Sequence, residues 1–130
     1  MKKQIKKISV AAVAILLLFA MTGCNVKLTD KQSVACEKAD EVLQQMADLA
    51  DNNGVERKLK KVDGKIVYIG TIDYATDVSE AAAKIFQDST MPILESVLHP
   101  EDVYVVLYLN VNGEECYRLV DSELDSSASY

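Results

Sequence analysis

The chain has 130 residues, 14 basic and 20 acidic, with a formal net charge of −6. Four of the basic residues (Lys2, Lys3, Lys6 and Lys7) stand in the first seven positions, and no acid precedes Asp30, so the chain beyond this start carries a formal charge near −10. Such a field repels phosphate polyanions and excludes nucleic acid as a partner. About 100 residues remain for one small domain with a single core.

The basic start is followed by an uncharged, almost wholly apolar run at residues 8–21, and Met21-Thr22-Gly23-Cys24 closes it. A positive start, a short apolar core and small residues before a cut form the pattern of a secretory signal. A Cys directly after the small residues narrows the expectation to a bacterial lipoprotein signal over 1–23, with the thiol of Cys24 acylated. The run is too short for the roughly 20 helical residues that cross a hydrocarbon core. Two or three acyl chains, palmitate among them, anchor stably, because each buried methylene contributes about 0.8 kcal/mol. The expected location is the extracytoplasmic face of the cell membrane, with membrane lipid as the first partner. Residues 24–28 form the lipidated tether, short enough to hold the domain against the headgroups.

From Thr29 or Asp30 a helix is expected to run to about Asp51. Ala35, Ala39, Val42, Met46 and Leu49 recur at helical spacing, widened by Cys36, Leu43, Ala47 and Ala50. Asp51-Asn52-Asn53-Gly54 stops it. This run lacks the alternating ligands and terminal Glu of a calcium loop. Residues 55–62 and 65–74 flank Asp63-Gly64, a type I′ hairpin signal that pairs Leu59 with Tyr68 and Arg57 with Gly70. Counting by twos puts Val55, Leu59, Ile66, Tyr68 and Ile72 on the core face, with Arg57 and Lys61 among them. Gly70 leaves room for a helix to come close or for a bulge. Arg57, Lys58, Lys60, Lys61 and Lys65 cluster in this hairpin, either as an anion-facing patch or as protection of an exposed edge strand.

A second helix is expected from Thr76 or Asp77, on the stripe Ala82, Ile85, Phe86, Ile93 and Val97. Pro92 interrupts it, so the helix should kink or restart just before that residue, and Pro100 ends it. A second hairpin, 103–111 and 114–120, turns at Asn112-Gly113. Counting from this turn pairs Leu109 with Cys116, Leu107 with Arg118 and Val105 with Val120. One face then carries Val103, Val105, Leu107, Leu109, Cys116 and Val120, the other Tyr104, Val106, Tyr108, Tyr117 and Leu119. Residues 121–130, acidic and Ser-rich, read as a disordered tail.

The expected fold is therefore α+β: a two-layer αββαββ domain over 29–120, a four-stranded antiparallel sheet with two helices on one face. Cys36 and Cys116 are either a disulfide pair or two separately buried thiols. Three readings of the Tyr-rich face stay open: a partner or dimer surface, ordinary strand composition, or the core itself. On the first reading Tyr104, Tyr108, Tyr117 and Leu119 are the binding residues.

The sequence offers no catalytic set. His99 is the single histidine, so no two-His metal site is possible; neither a CxxC nor a GxSxG is present. No metal and no cofactor are expected, and the reading is non-enzymatic. The segments Lys65-Ile66-Val67-Tyr68 and Tyr108-Leu109-Asn110-Val111-Asn112-Gly113-Glu114-Glu115-Cys116-Tyr117, with the helix between, resemble small uncharacterised lipoproteins of Gram-positive bacteria that carry a domain of unknown function. That resemblance implies no activity or ligand. The function expected is a membrane-anchored module that binds another envelope protein or itself. The alternative is a small-molecule or cell-wall ligand-binding module of a transport or sensing system.

Overall fold

The computed structural model describes residues 26–130, so the leader and Cys24 lie outside the described part. Helix α1 spans Asp30–Ala47. Thr29 caps it: its hydroxyl accepts from the Gln32 amide at 3.1 Å, and Gln32 Oε1 accepts from the Thr29 amide at 3.0 Å. The helix stops earlier than its spacing suggests. The Asn52 side-chain amide donates to the carbonyls of Ala47 and Ala50, and the chain reverses there into strand β1, Asn52–Val62. Leu49, placed on the stripe by period, is therefore left 75% exposed, and the buried line is Ala35, Cys36, Ala39, Leu43 and Ala47.

Strand β1 pairs antiparallel with β2, Lys65–Tyr74, in the expected register: Leu59 opposite Tyr68 and Arg57 opposite Gly70. Gly70 is where the helix layer touches the sheet. A Cβ there would stand 2.5 Å from Leu43 Cδ1, so any side chain at this position would force Leu43 of α1 to shift.

After β2 the chain enters α2, Glu80–Ile85, capped by Ser79, whose hydroxyl accepts from the Ala82 amide. A π-helical turn, Phe86–Thr90, follows, and α3 restarts at Met91–Leu98. Pro92 explains the turn: a helical proline lacks a donor and its ring crowds the carbonyl four residues back. The wider turn absorbs both defects, with the Met91 amide donating to Phe86 O. A 3₁₀ turn at His99–Glu101 and a left-handed Asp102 (φ 59°) lead into β3, Val103–Val111. Strand β4, Glu114–Val120, completes the hairpin.

The sheet order is β1-β2-β3-β4, and it is mixed. The expectation of a purely antiparallel sheet is corrected at the centre, where β2 and β3 run parallel with Ile66 opposite Val103 and Tyr74 opposite Val111. The helical segment returns the chain to the end at which β2 began, as a crossover between parallel strands requires. The expected α+β class and the two-layer arrangement stand.

The second hairpin departs from its expected register. Glu114 and Glu115 pair with Val111 and Asn110 as counted from the turn, but Cys116 is an extra residue, so Tyr117 faces Leu109 and Leu119 faces Leu107. A one-residue bulge moves every later side chain to the opposite face. Tyr117 and Leu119 therefore join the helix-covered core, together with Val103, Val105, Leu107 and Leu109 of β3. Val26 and Leu28 also pack against this core.

The tail holds no helix or strand, yet it makes defined contacts. Residues 121–130 cross the outer sheet face, where Val67, Ile69 and Val106 form a second, smaller cluster packed against Tyr108, Leu124 and Tyr130. Arg118, turned outward by the bulge, donates to Ala128 O at 2.8 Å and to Ser126 O, and lies 5.9 Å from the Tyr130 ring. These backbone contacts hold a segment whose composition alone would leave it unfolded.

Candidate functional site

The expected binding patch does not assemble as a unit. Tyr104 and Tyr108 lie on the outer face, both half-buried. Tyr108 is occupied by the tail, its hydroxyl donating to Tyr130 O at 3.4 Å. Tyr117 lies on the other face and donates to Val78 O at 3.1 Å, while Leu119 is buried in the core. The bulge at Cys116 is the reason. Both described cysteines are free thiols: Cys36 is wholly buried on α1, and Cys116 is exposed. The expectation that Cys116 faces the core beside Cys36 is corrected by the same bulge. Cys24 is outside the described residues.

Three other features remain. The first is a polar cluster under α1. Tyr68 donates to Asp40 Oδ1 at 2.6 Å, and Arg57 donates to Asp40 Oδ2 at 3.3 Å while lying 5.7 Å from the Tyr68 ring. The Arg57 side chain is 7% exposed, and its Nε has no hydrogen-bond partner. Burial raises the Asp40 carboxyl above its usual range, against the opposing pull of Tyr68 and Arg57. Burial likewise pushes the Cys36 thiol up to about 11. A thiol held protonated is a poor nucleophile, which argues against Cys36 as a catalytic group. The cluster resembles a structural seam: a buried arginine kept beside its carboxylate.

The second is a groove of about 500 Å³ between α1 and α3. Val34, Ala35, Val97 and Pro100 form its apolar floor, and Lys31, Lys38, Asp30 and Glu101 form its charged rim. Val34 is half-exposed, as is Ile93 one helical turn before Val97 on α3. The groove opens on the helix side of the domain and begins at the first turn of α1.

The third lies where α3, β3 and the tail meet. His99 Nε2 stands 2.7 Å from Asp121 Oδ2, and Glu95 brings a carboxylate oxygen within 4.8 Å of both. Asp121 is 1% exposed, and the Val105 amide donates to its Oδ2 at 3.0 Å and the Glu123 amide to its Oδ1 at 2.8 Å. The Tyr104 ring lies 5.3 Å from the His99 ring. Reading by sequence missed Asp121 because it stands in a stretch whose composition suggests disorder. The four-residue step from Glu95 to His99 was the one available signal.

The basic hairpin is divided by burial. Arg57 turns inward, whereas Lys58 and Lys60 face outward and Lys61, on the Arg57 face, is exposed; β1 is an edge strand of the sheet, the position where lysine protects against edge-to-edge pairing. Lys65 lies 5.1 Å from the Tyr104 ring.

Set against known proteins, the chain matches no family model, no curated sequence and no solved structure. No described helix is long and apolar enough to cross a membrane.

Proposed function

We propose that the protein is an extracytoplasmic lipoprotein, anchored through acylated Cys24, that binds another envelope protein without catalysing a reaction. The anchor rests on the leader pattern of residues 1–24. The binding role rests on one observation, the α1–α3 groove, where Val34 leaves apolar surface open between two packed helices. Exposed apolar surface rimmed by charge is the usual character of a protein contact. The tail already covers the outer sheet face, so the contact surface moves from the tyrosines to the helix side. Asp30, which lines the groove, follows Cys24 by six residues, a span of at most about 22 Å. The groove thus works close to the bilayer, and its partner is itself a membrane-associated protein.

Site-specific photo-crosslinking in native membranes tests this. A photoreactive residue at Val34 is expected to give a discrete heavier adduct that the same residue at Lys60 does not. Mass spectrometry of the amino-terminal peptide is expected to find diacylglyceryl on Cys24. Equal adducts from both positions, or none from Val34, would remove the groove from the account, and an unmodified Cys24 would remove the anchor. A small-molecule reading is supported by the volume alone, which falls within the roughly 300–1,000 Å³ of ligand sites. A melting shift with a wall-fragment or metabolite panel would favour that second reading.

A further inference from the structure

We infer that Glu95, His99 and Asp121 form a binding site for a divalent transition ion of the Zn²⁺ type, set at the junction where β4 passes into the tail. This rests on residues distinct from the groove and on chemistry independent of the anchor.

The helix supplies the first two ligands. The His99 amide donates to Glu95 O, so helical geometry holds across this step and both side chains project from one face, one above the other. That four-residue step is the spacing by which a helix offers two groups to one ion. The third ligand comes from the end of β4, where Asp121 is fixed by two independent anchors. Its amide donates to Val105 O, and its Oδ2 accepts from the Val105 amide. Asp121 is therefore held against β3 whether or not His99 faces it.

The donor set is one imidazole nitrogen and two carboxylates. Imidazole suits zinc, copper, iron and nickel, whereas magnesium and calcium prefer oxygen alone. Ligand distances of about 2.1 Å and octahedral angles place neighbouring donor atoms roughly 3.0 Å apart, and tetrahedral angles roughly 3.4 Å. The 2.7 Å between His99 Nε2 and Asp121 Oδ2 has to open by only a few tenths of an ångström, or somewhat more. The proton shared between Nε2 and Oδ2 leaves to solvent, and the ion takes its place. Glu95 closes the site by a side-chain rotation.

The supporting contacts suit such a site. Ser122 donates to Glu95 through its hydroxyl at 2.9 Å and its amide at 3.2 Å, leaving the carboxylate lone pairs to spare. The Tyr104 ring backs the imidazole. His99 is about one-quarter exposed, which gives the ion a path in and leaves its remaining positions to water.

Zinc titration of the full chain in mild detergent tests the inference. Cys116→Ser serves as the parent, because that exposed thiol beside Glu114 and Glu115 would itself capture zinc. Isothermal titration of the parent with ZnCl₂ is expected to show one ion per chain, and saturating Zn²⁺ should raise Tm by about 5 °C or more. MgCl₂ at equal concentration should leave Tm unchanged. His99→Gln and Glu95→Gln should each weaken Zn²⁺ by about 100-fold, and Ser122→Ala, which only positions Glu95, by about tenfold. Absence of heat and of a Tm shift in the parent would overturn the site. So would Zn²⁺ affinity unchanged in Glu95→Gln, a helix-surface change that decides the matter even where His99→Gln does not fold.

Discussion

The two faces of the sheet are closed by different means. On one, α1 and α3 cover a cluster that takes in nineteen buried residues among those described, from Ala35 to Leu119. On the other, a ten-residue tail covers three: Val67, Ile69 and Val106. Helices close the first face through burial of apolar side chains, which is non-directional and scales with area. The second is closed by directional contacts, chiefly Arg118 to the tail carbonyls and Tyr130 over the strand residues. The difference is one of dependence. The helix face is closed by the helices alone, whereas the far end of the tail, Ser126 and Ala128, is held by Arg118, which the bulge at Cys116 has turned outward.

The largest test of that asymmetry is a pair of truncations on β3, adjacent in sequence and opposite in direction. Leu107→Ala removes a wholly buried side chain from the helix face and should cost about 2–5 kcal/mol in urea denaturation. Val106→Ala, equally buried beneath the tail, should cost roughly 1.5 kcal/mol, the value of the methyl groups removed with relaxation of the covering segment. Equal losses would mean that the tail packs as firmly as the helices do.

A smaller effect isolates the tail itself. Tyr130→Ala removes the ring beside Arg118 and the hydroxyl that donates to Asp125 O, and should cost about 1 kcal/mol or less. Hydrophobic-dye fluorescence should rise with the loss of cover over Val67 and Ile69, while far-UV circular dichroism stays as it was. A loss matching that of Leu107→Ala would make the tail part of the main core.

The same asymmetry marks what the sequence could disclose. The first hairpin was legible over most of its length, because Asp63-Gly64 set a register that holds from Val62 to Gly54, where a bulge at Asn53 ends it, and Gly70 announced the close approach of α1. The second hairpin carried an equally clear turn, and its first two pairs follow it. No residue pattern announced the bulge, since Cys116 is as acceptable in a regular strand as in a bulged one, and a single extra residue exchanged the two faces of β4. The Tyr-rich patch was lost through that one residue, and the tail's contacts were hidden for the same reason, because a regular register sets Arg118 opposite Leu107, on the face that α1 and α3 cover. Strand direction was hidden differently: a helix between two hairpins allows either sense, and the choice between them is made by where α3 ends. For the candidate metal centre, Glu95 and His99 were visible as a helical pair, but Asp121 becomes a neighbour only after the sheet has formed.

The finest distinction concerns the helix face alone, where Asp40, Arg57 and Tyr68 interrupt an otherwise apolar interface. Burial holds the Asp40 carboxyl above its ordinary value of 3.8, although the Tyr68 hydroxyl and the Arg57 guanidinium both pull it down. The folded protein therefore binds this proton more tightly than the unfolded chain. Stability from the group is complete below the ordinary value and is lost as pH rises through the raised one. Asp40→Asn cannot titrate, so the stability of the native chain relative to this variant should fall as pH rises from about 3 and then level off once the buried carboxyl is ionised. Urea midpoints of both proteins across that range measure the slope. A relative stability that instead climbs with pH would show the ion pair with Arg57 outweighing burial, and the helix face would then owe part of its strength to charge, as the tail face does.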